Sequence, residues 1–130
     1  KADICNLPFN DNSFDYILCN HVLEHIYDDE KAMKEIYRVL NKNGIAILQV
    51  PIDINSNYTH EGRDIDNKHD RNKLFGQYDH LRMYGLDYFK KLNNIGFKVK
   101  NENYLSNISQ DEKDKYSLHN AGSIPVCIKV

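Results

Sequence analysis

Apolar positions along this chain fall into two short, nearly unbroken runs flanking a helical repeat, followed later by two alternating stretches. Phe14 to Cys19 is apolar except at Asp15, which predicts a strand covered on both faces. Ahead of it, Leu7-Pro8-Phe9 leads into Asn10, Asp11, Asn12 and Ser13. This is a turn cluster, because Pro fixes its own φ and the short polar side chains bond back to the local backbone. After the strand, Asp28, Asp29 and Glu30 put negative charge where the helix macrodipole favours it, and Ala32, Met33, Ile36, Tyr37 and Leu40 recur at helical spacing. Gly44 is suited to a left-handed cap, and Ile45 to Val50 is a second buried strand stopped by Pro51. A strand, a helix and a strand in this order predict a right-handed parallel unit.

Farther along, Asp87 can cap a helix whose Phe89, Leu92 and Ile95 face inward and which stops at Gly96. Phe97 to Tyr104 and Ile124 to Val130 alternate more clearly, as strands near a sheet edge do. Residues 106 to 123 read as a polar loop. Between Ile52 and Gly85 lies a polar stretch holding His60, His69 and His80 with Glu61, Asp64, Asp66, Asp70 and Asp79 and ending in F-G-Q-Y-D-H-L-R-M-Y-G. Loop residues carry function more often than core residues, because packing does not dictate their identity. His80 could remove a proton from a substrate there, with Asp79, Arg82 and Tyr84 orienting it.

Composition narrows the classes. A chain of 130 residues is one domain, residues 1–130, and with 41% hydrophobic residues and a mean hydropathy of -0.67 it is polar for an α/β unit. Net charge is -2 with no basic stripe, which argues against a nucleic-acid partner. No apolar run reaches membrane-spanning length. Cys5, Cys19 and Cys127 are odd in number and lack C-x-x-C spacing, so reduced thiols and a cytoplasmic setting are expected.

The ordered pieces D-I-x-x-L-P-F-x-D-x-S-F-D, N-H-V-L-E-H, a helix and L-N-K-N-G before a strand resemble the class I S-adenosylmethionine-dependent methyltransferases, of the Methyltransferase type 11 kind. The resemblance runs from residue 1 to about residue 104. It implies a partial Rossmann-like sheet, the carboxyl-terminal strands of such a domain, mixed parallel with an antiparallel last strand and flanked by helices. It also implies that Asp3 accepts from the adenine amino group, that the Ile4 amide touches the ring, and that Asn20 and His21 close over the methionine end of S-adenosylmethionine. The segment at about 52–85 then lies on the acceptor side, with a small-molecule acceptor and with His80 or His25 as base. Its F-G-Q-x-D-H-x-R-x-Y-G phrase resembles one found in a bacterial subgroup of the family and names no substrate.

The family's G-x-G-x-G loop does not occur, for none of Gly44, Gly62, Gly76, Gly85, Gly96 and Gly122 lies close enough to another. Weak or absent cofactor binding by this chain alone follows, along with the expectation that it is a carboxyl-terminal part of a longer domain. The strand at Phe14 would then expose an edge that favours a homodimer, and a non-catalytic, self-associating module is the alternative to an enzyme. A third reading comes from His21-Val22-Leu23-Glu24-His25, which matches the H-x-x-E-H string of certain zinc peptidases. A catalytic zinc needs a third protein ligand that the sequence does not single out, so no metal site is expected and the string is read as part of the cofactor rim.

Overall fold

The computed structural model describes residues 2–102, 104–118 and 124–130. Its core is a four-stranded sheet built from β1 (Phe14–Asn20), β2 (Leu40–Gln49), β5 (Phe97–Glu102) and β6 (Ile124–Lys129), in the order β1-β2-β6-β5. β1 and β2 run parallel with helix α1 (Asp29–Val39) between them, whereas β6 is antiparallel to both β2 and β5. The sheet is thus a mixed Rossmann-like one flanked by helices, as expected from the sequence.

Helix α1 starts where charge dictates. Asp28 accepts a hydrogen bond from the Lys31 amide at 3.0 Å, and Ala32, Met33, Ile36 and Val39 bury one face against the sheet. Arg38 on the opposite side donates to Glu35, to Asp11 and to the carbonyls of Leu7 and Phe9, which clamps the Pro-containing turn onto the helix. The Arg38 guanidinium beside Glu35 holds that carboxyl down at about 2, well under its ordinary value. The helix passes straight into β2. The left-handed residue there is Asn43, with φ 63°, and not Gly44. Gly44 sits within β2 because a Cβ would come 2.8 Å from the Asn41 carbonyl oxygen and 2.9 Å from Leu40 Cγ.

Helix α3 (Asp87–Ile95) packs through Tyr88 and Leu92, with Phe89 and Ile95 only partly covered. The inward face is therefore rotated from the one read off the sequence. The reason is polar: the Tyr88 hydroxyl donates to the Leu48 carbonyl at 2.8 Å, just past the last β2 residue paired with β6. Asp87 lies inside the first turn instead of capping it, and accepts from Thr59 Oγ1 at 2.7 Å. Gly96, at φ 123°, ends the helix as its sequence position implied.

Two further differences concern the sheet. β6 is an interior strand, with Pro125, Val126 and Cys127 buried. β1 is not covered on both faces: Tyr16 is 74% and Leu18 76% exposed, because β1 is an outer strand with α1 on one side only. In the polar tail, Ser109 and Glu112 form a reciprocal capping box that starts the short helix α4 (Gln110–Lys115).

Between β2 and α3 the chain forms a small two-stranded ribbon, β3 (His60–Glu61) with β4 (Arg82–Met83), and helix α2 (Lys68–Phe75), capped by Asn67 and ended by left-handed Gly76. Phe75 is the buried end of α2, packed against Gly62. A buried arginine is a main tie between this unit and the body. Arg82 is fully buried and donates to the carbonyls of Leu23, Ile26 and Tyr27 and to the Glu61 carboxylate.

Candidate functional site

At the carboxyl end of β1 the chain turns sharply. His21 takes a left-handed conformation, φ 54°, uncommon for a residue other than glycine, while its amide still donates to the Gln49 carbonyl at 2.8 Å. That bond prolongs the β1–β2 pairing by one residue and turns the His21 side chain, 60% exposed, out onto the rim. Leu23–His25 then form a single 3-10 turn before α1. In open α/β sheets ligands sit beyond the carboxyl ends of the strands, and this is such a rim.

Beside it runs an apolar groove of 540 Å³, lined among others by Ile4, Ile17, Cys19, Asn20, Val22 and Ile36. Asp3 lies in the turn that leads to Ile4, where one carboxylate oxygen accepts from the Cys5 amide at 2.9 Å. That bond fixes the carboxylate's direction, and its second oxygen accepts no hydrogen bond among the described residues. Burial, reinforced by the Glu24 charge, pushes the Cys19 thiol up to about 11, so it is an inert wall of the groove and not a nucleophile. Of the four residues assigned to the cofactor, Ile4 and Asn20 thus line one groove, with Asp3 and His21 next to them in the chain.

The two candidate bases meet elsewhere. The rings of His25 and His80 stand edge to face with centroids 4.8 Å apart. The Leu81 amide donates to the Glu24 carbonyl at 2.9 Å, which holds the segment after α2 against the 3-10 turn. His80 is buried, its Nδ1 3.0 Å from the Phe75 carbonyl, and is not a free base on the rim. Arg82 and Tyr84, expected to orient an acceptor, are fully buried: Arg82 holds backbone carbonyls, and the Tyr84 hydroxyl donates to Asp29 at 2.7 Å. Asp29 is buried, yet hydrogen bonds from Lys91 and Tyr84 and the Arg82 charge outweigh desolvation and keep its carboxyl below the ordinary range. The H-x-x-E-H string does not present its histidines from one face of an α-helix, because residues 23–25 are a 3-10 turn and His21 lies in the left-handed bend before it.

A family model described as a methyltransferase domain matches residues 1–48, the stretch that carries the Asp3 turn, β1, α1 and β2. Over that stretch the chain is similar to the class I S-adenosylmethionine-dependent methyltransferases. Among its relatives, a demethylmenaquinone methyltransferase of Staphylococcus epidermidis is 44% identical over 46 residues, 35% of this chain and 19% of the relative. The chain therefore spans about a fifth of the length of that curated relative. Among solved structures, the [4+2]-cyclase SpnF superposes with a TM-score of 0.65 at 18% identity, covering 98% of this chain and 55% of the cyclase. A Haemonchus contortus phosphoethanolamine N-methyltransferase 2 in complex with S-adenosyl-L-methionine superposes with a TM-score of 0.55 at 19% identity, covering 98% and 36%. At such identities the likeness establishes the fold, and a methyltransferase fold in a cyclase shows why chemistry must be argued from the site.

Proposed function

We propose that the protein is an S-adenosylmethionine-dependent methyltransferase acting on a small-molecule acceptor, in which this chain forms the adenine-side rim and the acceptor-side segment. The observation that carries this is the groove beside β1: an apolar wall containing Ile4 next to a directed carboxylate at Asp3, at the carboxyl end of a parallel strand. Those groups fit the adenosyl side of the cofactor, since a carboxylate oxygen without a partner can accept from an exocyclic amine and an aliphatic side chain can lie on a ring. Asn20 and the outward His21 would close over its other end. When bound, S-adenosylmethionine supplies an electrophilic methyl on a sulfonium. The protein's work is then to hold the acceptor in line and exclude water, which is catalysis by proximity.

The acceptor side is the segment at 52–85, and His25 and His80 act there as one polar cluster with Glu24 and not as two independent bases. The three cysteines are free thiols, two of them buried, which supports a reducing, cytoplasmic setting. No helix among the described residues is long and apolar enough to cross a membrane. A second reading, a self-associating module without catalysis, is favoured by the exposed Tyr16 and Leu18 on the outer strand.

Titration of the isotope-labelled chain with S-adenosylhomocysteine, followed by amide chemical shifts, tests the assignment. Weak binding, with a Kd on the order of millimolar, should move the amides of Asp3, Ile4, Asn20 and His21, and Asp3→Ala should abolish the shifts. Shifts confined to other residues would remove the cofactor assignment. Micromolar affinity would show that a glycine-rich loop is not needed for binding.

A further inference from the structure

Glu24 is the most unusual side chain in the molecule. It is 1% exposed, and neither carboxylate oxygen accepts a hydrogen bond among the described residues. An isolated carboxylate taken out of water is costly unless something positive lies against it. The arginines do not answer the need: Arg82 passes the 3-10 turn but spends its donors on the carbonyls of Leu23, Ile26 and Tyr27 and on Glu61. What faces Glu24 is imidazole nitrogen. His21 Nδ1, on the 60% exposed rim side, is 3.5 Å and His25 Nε2 4.0 Å from Glu24 Oε1, and on the inner side one ligand atom from each of Glu24, His25 and His80 lies within 4.8 Å of the others.

The tautomers decide what those nitrogens offer. A carbonyl oxygen only accepts, so His80 Nδ1, 3.0 Å from the Phe75 carbonyl, carries the hydrogen. His25 Nδ1 does likewise, 3.3 Å from the Asp79 carbonyl, with Asp79 Oδ2 at 3.5 Å behind it. In the neutral ring each Nε2 is therefore a bare lone pair. A lone pair and a carboxylate oxygen 4.0 Å apart repel, and that separation is too long for a proton to bridge as a hydrogen bond. An ion with bonds of about 2.0–2.2 Å to each would bridge the pair once it closes by about 0.6 Å. Histidines that donate through one nitrogen to a carbonyl or carboxylate and keep the other free are the usual state of metal-bound imidazole.

We propose that Glu24, His25 and His80 form a binding site for a divalent transition-metal ion, zinc being the best match to two imidazoles and one carboxylate. The Glu24–His25 pair closes from 4.0 Å toward the tetrahedral edge of about 3.4 Å through rotation of the His25 ring, whose side chain is 28% exposed and is the site's open side. Three protein ligands leave a fourth position for water or for a heteroatom of an acceptor. This set differs from the one the H-x-x-E-H string names, for His80 replaces His21 and Glu24 becomes a ligand instead of a base. The ion joins the 3-10 turn before α1 to the segment after α2. The existence of the site is independent of the methyltransferase reading, and only its use toward an acceptor rests on that reading.

Calorimetry with Zn²⁺, and visible absorption with Co²⁺, on the 130-residue chain freed of metal by chelation test the site. The expected result is one equivalent bound, a four-coordinate Co²⁺ spectrum, and a rise in Tm with zinc. His25→Gln and Glu24→Gln should each weaken binding about 10–100-fold, while the exposed His69→Gln leaves it unchanged. His80→Gln should abolish it, and circular dichroism reports whether that buried variant keeps its fold. No binding at 100-fold excess of Zn²⁺, or affinity unaltered in both His25→Gln and Glu24→Gln, overturns the proposal. Loss of binding in His21→Gln with retention in Glu24→Gln also overturns it, by returning the ligands to the H-x-x-E-H histidines.

Discussion

Replacing Arg82 with Met tests how the 52–85 segment is held. Arg82 is 0% exposed, and its guanidinium donates to Leu23 O at 3.0 Å, Ile26 O at 2.6 Å, Tyr27 O at 3.1 Å and Glu61 at 3.2 Å. Methionine keeps the aliphatic stem and removes every donor. Glu61 is 41% exposed and turns to water at little cost, and Leu23 O keeps the Ile26 amide at 3.2 Å, so the loss falls on the carbonyls of Ile26 and Tyr27 and on Asp29, whose carboxylate is 3.8 Å from Arg82 Nε. Each buried carbonyl left unpaired costs about 1–3 kcal/mol. Some of that returns because the guanidinium no longer has to be desolvated. The net expectation is a loss of about 3–5 kcal/mol, a large share of the roughly 5–15 kcal/mol that holds a domain together. With a urea m-value of about 2 kcal/mol/M, the unfolding midpoint should fall by about 2 M. Urea titration followed by circular dichroism measures it. A midpoint within about 0.5 M of the wild type at unchanged m would show that water satisfies those carbonyls and that Arg82 is not the fastener.

Acid should loosen the Pro-containing turn before the rest of the molecule. The Glu35 carboxyl is held down at about 2 by the Arg38 guanidinium, against about 4.3 in an unfolded chain. A depressed carboxyl stabilises the fold above the unfolded value and loses that contribution as pH falls through the folded one. The urea midpoint should therefore drop between about pH 4.3 and 2, and Glu35→Gln should flatten the slope there; an unchanged slope in that variant would refute the assignment. Sedimentation equilibrium should find a dimer formed through β1, and Leu18→Lys should shift it toward monomer. A wild-type monomer at the highest concentration accessible would refute the pairing.

Much of the frame was readable from local rules. The β1–α1–β2 unit follows from two apolar runs flanking a helical repeat, and Asp28 caps α1 where the acidic cluster placed the start. What misled was any inference needing the neighbours. Phe14 to Cys19 has the composition of a doubly covered strand, yet its place at the sheet's outer edge leaves Tyr16 and Leu18 bare. β6 alternates like an edge strand and lies in the interior, because strand order is not written in a strand's own residues. The inward face of α3 was misjudged by one position since a tyrosine reads as half-polar. Its hydroxyl, reaching the end of β2, is what makes it the anchor.

The site shows the same division more sharply. Asp3, Ile4, Asn20 and His21 fall within one short stretch of chain around β1, so a local pattern could collect them. Glu24, His25 and His80 belong together only because the Leu81 amide bonds to the Glu24 carbonyl across 57 positions of sequence. Within H-V-L-E-H the eye pairs the two histidines, since an α-helix would stack them one turn apart. The 3-10 turn breaks that register and leaves Glu24 buried with His25 beside it. The ligand that local sequence does not single out is His80, distant in the chain and brought in by the segment after α2. Placing His80 behind His25, with its Nδ1 committed to Phe75, takes it off the rim and sets it in the cluster around a buried carboxylate that accepts no hydrogen bond among the described residues.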